Sequence, residues 1–209
     1  MSVTTEKRER GRPRSFEISP ALDQALGVFW ECGYDGADLD ALTKAMGISR
    51  SSFYAAFTDK SELFQQVMQR YAETLGARPV AALESAPSLH EALRRFGKAI
   101  VELACTEDRP LGCLVACVGV EKAATNPNVR ALVLQVIGTT QDRIEAALGR
   151  YAPAAVASEA HAVAASLCVA MMQSCAIKAR VGVPLQKLRS EMRADLAAIE
   201  RLLSQTETT

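Results

Sequence analysis

The residues best suited to chemistry lie in the stretch LDALTKAMGISRSSFYAAFTDK, from Leu39 to Lys60. Arg50, Ser51, Ser52 and Tyr54 follow one another closely there, and Lys60 closes the stretch. An arginine fork matches guanine O6 and N7 together, and hydroxyls and ammonium groups meet phosphate oxygens. No Ser, His and Asp are spaced to put a nucleophile beside a base, and GCLVACVG has neither the glycine spacing nor the following Lys of a phosphate loop. The chemistry on offer is recognition rather than turnover, so an enzyme is not expected.

Two short helices must position these groups. Leu39, Leu42, Ala45 and Met46 recur at helical spacing, which gives one apolar face. Gly47 ends that helix where a left-handed backbone is needed, Ile48 plugs the corner, and Ser49 offers an oxygen to the first free N–H groups of the next helix. The second helix is predicted over Arg50 to Phe57, with Phe53 and Phe57 on its buried side. A helix, a short turn holding a Gly, and a second helix rich in hydroxyls and cation form the docking unit for a DNA major groove.

The flanks extend this unit. Ser19 and Pro20 read as cap and first residue of a preceding helix, with Leu22, Ala25, Leu26 and Phe29 on its apolar face and an end near Gly33. Asp59 and Glu62 read as a capping box for a fourth helix, buried through Leu63, Phe64, Val67, Met68 and Tyr71. Helices are then expected at about Ser88–Cys105, Leu111–Ala124, Pro127–Arg150, Pro153–Val181 and Pro184–Ser204. The expected architecture is all-α with about nine helices. It divides into a flexible basic arm (1–15), a helix-turn-helix headpiece (16–70) and a helical effector-binding and dimerisation domain (71–209). The helix from Pro153 is apolar on more than one side, so it needs neighbours on more than one side, a second subunit among them.

Composition narrows the setting. Hydrophobic residues make up 49% of the 209, with aromatics at only 5%, which favours helix over sheet. No apolar run is read as a membrane span, and the charged N-terminus lacks a signal core, so a cytoplasmic protein is expected. The formal net charge is zero, and placement matters more than the total: Lys7, Arg8, Arg10, Arg12 and Arg14 cluster in the arm, and Arg50 and Lys60 flank the second short helix.

The N-terminal part resembles the TetR family of bacterial transcription regulators, through GRPRSF and ALGVFWECGYDGADLDALTKAMGISRSSFYAAFTDKSELF. The resemblance implies a homodimer whose headpieces read a palindromic operator on double-stranded DNA, whose last two helices pair into a four-helix bundle, and which a small-molecule effector releases. It implies that Arg50, Ser51 and Ser52 meet base edges, that Tyr54 and Lys60 meet phosphate, that Thr43 touches backbone or base, and that Arg12 and Arg14 enter the adjacent minor groove. Asp38 stands where the family often has a Thr or Ser touching phosphate and Ala55 where it often has a polar His or Asn, so fewer backbone anchors are expected and more dependence on Arg50, Tyr54 and Lys60. The same fold used as a protein-interaction adaptor is the alternative.

An effector pocket is expected between the middle helices, with Phe96, Cys113, Cys117 and Met171 as candidate lining residues. Of the six cysteines, Cys113 and Cys117 are four apart on one helix face, and Cys168 and Cys175 seven apart. They read as small buried hydrophobes, as a sensor of thiol-reactive effectors if a cation such as Arg109 or Lys122 is close, or as soft-metal ligands. No CxxC pair occurs, and His90 and His161 lack ligand spacing to the cysteines, so neither metal nor cofactor is expected.

Overall fold

A computed structural model describes residues 17–151 and 158–204, all helical apart from turns and short connections. The helices are α1 (Ile18–Gly36), α2 (Leu39–Met46), α3 (Arg50–Ala56), α4 (Lys60–Glu73), α5 (Arg78–Glu84), α6 (Leu89–Cys105), α7 (Val120–Ala123), α8 (Pro127–Gly149), α9 (Ser158–Arg180) and α10 (Leu185–Ser204). A single π-helical turn, Val115–Gly119, leads into α7.

Most expected boundaries hold, and the exceptions have local causes. Helix α1 starts at Ile18 after Glu17, which makes no side-chain cap, so Ser19 lies inside the first turn rather than capping it. Its regular part breaks at Gly33, as expected. The helix expected from Leu111 begins after Gly112, whose φ of +91° interrupts the run, and it contains the π turn. Helix α5 was not anticipated; Pro79 at its start and buried Pro79, Val80 and Leu83 form a segment too short to show a clear period. The expected start of α9 at Pro153 lies outside the described residues, as does the basic arm.

Two apolar clusters organise the chain. One joins α1 to α4 through Phe29, Trp30, Leu42, Phe53, Phe57, Phe64 and Tyr71, then continues into Leu114, Val118, Val129 and Val133. Its aromatic rings meet edge-on: Phe29 and Phe64 at 4.9 Å, Tyr34 and Phe64 at 5.1 Å, Trp30 and Tyr71 at 5.2 Å. Such pairs each contribute about 0.5–1.5 kcal/mol beyond the area they bury. The second cluster is built from α5, α6, α8, α9 and α10 around Leu83, Phe96, Ile144, Cys168 and Leu196. Helix α4 belongs to the first cluster and packs on α8, so the headpiece core runs without a gap into the larger helical domain.

Residues Glu159–Arg180 of α9 are long and apolar enough, by length and composition, to cross a membrane. The helix packs against α6, α8 and α10, and Ala164, Ala165, Cys168 and Cys175 are buried there, so it serves as a core helix of the bundle. Helices α6 and α10 approach each other closely at Gly97. A Cβ at Gly97 would stand 2.4 Å from Leu196 Cδ1 and 3.0 Å from Met192 Cγ. Gly97→Ala is therefore expected to overpack this contact and destabilise the protein by about 1–3 kcal/mol, read as a lower urea midpoint with unchanged m-value; an unchanged midpoint would mean that Leu196 repacks freely.

Candidate nucleic-acid interface

The α2–α3 corner is set by backbone geometry. Gly47 adopts φ +67°, a left-handed conformation that costs a glycine little, and its N–H donates back to the Lys44 carbonyl at 3.2 Å. Ile48 N–H donates to the Thr43 carbonyl at 3.0 Å, and Ser49 Oγ accepts from Ser52 N–H at 3.1 Å. Phe53 and Phe57 are each 1% exposed, which fixes the rotation of α3 on the core. The opposite face carries Arg50, Ser51, Tyr54 and Ala55, all exposed, with Ser52 half-buried beside them.

Each candidate residue has a defined setting. The Arg50 guanidinium reaches back to α2 and donates to Asp40 Oδ1 through Nε at 3.0 Å and Nη2 at 2.7 Å. That contact holds its pKa above the ordinary arginine value. The Ser49 hydroxyl sits 2.8 Å from that of Ser51 and donates to that of Ser52 at 3.0 Å, so the hydroxyls form one small network. Tyr54 is 60% exposed, with its ring edge-on to Phe53 at 5.2 Å. Asp38 caps α2, accepting from Ala41 N–H at 2.7 Å.

Two settings differ from the sequence expectation. Thr43 is 6% exposed, and its hydroxyl donates to the Leu39 carbonyl at 2.8 Å, so it faces the core of its own helix pair. The helical phase of α2 explains this, since Leu42, Thr43 and Met46 share its buried side. Lys60 Nζ is a clasp inside the headpiece: it donates to the carbonyls of Tyr34 and Ala37 at 3.0 Å each and sits 4.5 Å from the Tyr34 ring centroid. Lys122 approaches the same ring at 4.1 Å. An ammonium has three N–H donors, so one remains to Lys60 for phosphate. The α4 start also departs from a reciprocal capping box. Asp59 accepts from Glu62 N–H at 2.8 Å, but the Glu62 carboxylate accepts from Thr58 N–H at 2.8 Å, which pulls its pKa down. Arg12 and Arg14 lie outside the described residues.

Behind the headpiece, a cavity of about 410 Å³ opens among α4, α5, α6, α8, α9 and the π turn. Ile100, Leu103, Val115, Val136, Val169 and Met172 give it apolar walls, and Gln69, Glu73, Thr139 and Arg143 give it polar ones. Of the four expected lining residues, Cys113 is in the wall. Phe96 is fully buried in the second cluster, away from the cavity. Met171 is buried in that cluster too, and the next residue, Met172, one helical step round α9, faces the space instead. Cys117 points at the Ala176 carbonyl, 3.8 Å away. Sequence reasoning missed the ion pair at the cavity edge, where Arg143 Nη2 and Glu84 Oε2 are 2.6 Å apart; the partners are far apart in the chain and on separate helices. It also missed Tyr71 as a wall residue, whose hydroxyl donates to Cys113 Sγ at 3.2 Å.

The thiols are governed by burial. It pushes Cys168 up to about 12 and Cys175 up to about 11, and raises Cys113 and Cys105 as well, although Arg189 opposes the shift at Cys105. On Cys113 burial outweighs the hydrogen bond from Tyr71, and neither Arg109 nor Lys122 is among the groups that act on it. Lys122 is engaged over Tyr34 instead.

The corner, the outward face of α3 and the cavity behind α4 define a helix-turn-helix headpiece joined to a helical cavity domain. A family profile described as "Bacterial regulatory proteins, tetR family" matches residues 21–67. The chain belongs to the TetR family. It is 36% identical over 115 residues to the HTH-type transcriptional repressor ComR of Escherichia coli (strain K12), covering 54% of this chain and 55% of that protein. It is 31% identical over 145 residues to the transcriptional regulator AcuR of Cereibacter sphaeroides, covering 66% of each. The matches with ComR and with the Bacillus subtilis regulator YezE span 55% and 61% of those relatives, little more than half their length. A solved structure of a cysteine mutant of the TetR family transcriptional regulator CifR, complexed with 26 bp double-strand operator DNA, superposes with a TM-score of 0.76 at 28% identity, covering 90% of this chain and 99% of that one.

The thiol chemistry is open to direct measurement. Cys32 is exposed, whereas Cys168 and Cys175 are buried and protonated at neutral pH. Because only the thiolate is nucleophilic, iodoacetamide at pH 8 is expected to label Cys32 first in the native protein. Labelling of Cys175 should then rise as pH approaches 11. Mass spectrometry that found Cys168 or Cys175 alkylated at pH 8 as fast as Cys32 would contradict this order.

Proposed function

We propose that the chain is a homodimeric, sequence-specific DNA-binding transcriptional regulator, a repressor released from a palindromic operator by an effector, acting in the cytoplasm and without catalytic activity. The observation that carries this reading is the two-sided character of α3. Its Phe53 side is locked in the core, while Arg50, Ser51 and Tyr54 stand together on the outer side of a helix-turn-helix corner. Arg50 and Ser51 suit base edges, and Tyr54 and the remaining Lys60 donor suit phosphate. A zero formal net charge limits non-specific attraction, so affinity depends on these few contacts. The ComR and CifR names supply the regulatory and operator-binding context.

Dimerisation is supported by α9. Val163, Leu167 and Ile177 are 45%, 47% and 51% exposed along one outer side of a helix that is otherwise core. A second subunit laid on this side with α10 gives the four-helix bundle and sets the distance between two reading helices. The effector, a small apolar or thiol-reactive molecule, occupies the cavity whose wall includes Tyr71 and Cys113. Its preference for a headpiece spacing that no longer fits DNA is the coupling energy.

Selection of bound fragments from random double-stranded DNA, with reduced protein at moderate salt, tests the reading. One enriched palindrome with half-sites about a helical turn or more apart is expected; no consensus from a dimeric protein would move the weight to a protein-interaction adaptor. On the selected site, Arg50→Ala is expected to lose about ten- to hundredfold in affinity while scrambled DNA changes little. Equal losses on both would remove Arg50 from base reading.

A further inference from the structure

The ion pair between Arg50 and Asp40 has a geometry that stability does not explain. Both side chains are largely in solvent, at 62% and 75% exposure, and exposed pairs of this kind contribute little to folding. The contact is nevertheless specific. Two donors of the guanidinium, Nε and Nη2, converge on one carboxylate oxygen, Oδ1. A guanidinium carries five N–H donors, so both Nη1 hydrogens and the outer Nη2 hydrogen remain, and those form the end-on fork that meets guanine O6 and N7. Asp40 thus occupies the side of the fork that a base does not need. It also adds a negative charge to the surface that must approach phosphate. Its second oxygen, Oδ2, makes no hydrogen bond among the described residues and is suited to the amino group of a cytosine or adenine.

We infer that Asp40 is a specificity-determining residue: it positions the Arg50 fork for a guanine and lowers affinity for DNA that lacks one there. The inference rests on the proposed DNA reading. The mechanism is an exchange of freedoms. Free Arg50 would have to give up its rotamers on meeting a base, and it would bind any nearby phosphate equally well. Held through Nε from α2, it presents its fork along one direction, and the carboxylate penalises a site where the fork finds no acceptor.

The test is a double-mutant cycle on the wild-type protein's selected site. Wild type, Asp40→Asn, Arg50→Ala and the double variant are titrated against the cognate duplex, the same duplex with the Arg50-dependent G·C pair replaced by A·T, and a scrambled duplex. Asp40→Asn is expected to bind scrambled DNA more tightly and to lower the G·C over A·T preference about tenfold. In the Arg50→Ala background the same substitution should leave that preference unchanged. Thermal melting checks that the Asn variant, altered only at an exposed side chain, stays folded. A G·C preference in Asp40→Asn equal to that of wild type, or an effect of the same size without Arg50, overturns the inference while leaving the DNA reading intact. A wild type that prefers no sequence overturns both.

Discussion

The contact on which the rest of the structure depends is that of Tyr71 at the end of α4. Its ring meets Trp30 edge-on in the headpiece core at 5.2 Å, and its hydroxyl donates to Cys113 in the cavity wall at 3.2 Å. One side chain is therefore shared by the core that orients α3 and by the wall of the cavity. Burial raises its phenol well above the ordinary tyrosine range, so it stays a neutral hydrogen-bond donor. Around it, Asn126 at the start of α8 donates to Ser61 of α4 at 2.8 Å, and Arg180 at the end of α9 donates to the Glu31 carbonyl of α1 at 3.2 Å. These polar ties brace the headpiece against the larger domain at points away from Tyr71.

The π turn Val115–Gly119 stands in the same wall. A π turn is a less regular packing than α-helix and is often found at functional positions. Here it brings Val115 and Ala116 to the cavity and Gly119 against Met68 of α4, where a Cβ would lie 2.9 Å from the Met68 methyl. Cavity, π turn and α4 are thus in van der Waals succession, and closely packed groups of this kind shift together.

Much of the headpiece was legible in the chain because its signals are local. Gly47 and Ser49 carry a turn and a cap within three positions, and Phe53 and Phe57 mark a buried side by spacing alone. The burial of Thr43 is not legible, because a threonine on a two-turn helix looks the same whether it faces solvent or core; the packing of α2 on α1 decides. Lys60 was misassigned in part because its carbonyl partners, Tyr34 and Ala37, lie more than twenty residues earlier. In the larger domain the longer helices are legible, whereas the short α5 and the cavity are not. Choosing Met172 over Met171 requires the rotation of α9, which four neighbouring segments set together. The Arg50–Asp40 pair was also invisible, since it depends on how α2 and α3 cross.

The central claim is that cavity and reading helix are coupled through α4. The most direct measurement fills the cavity from the side of the larger domain. Val136 of α8 lines the space, and Val136→Phe places a larger side chain where a ligand would sit. The account predicts that this variant, still helical and assembled as wild type, binds the selected operator at least about tenfold more weakly. It also predicts a shifted emission from Trp30, the single tryptophan of the chain. Operator affinity and Trp30 emission both equal to wild type would contradict it.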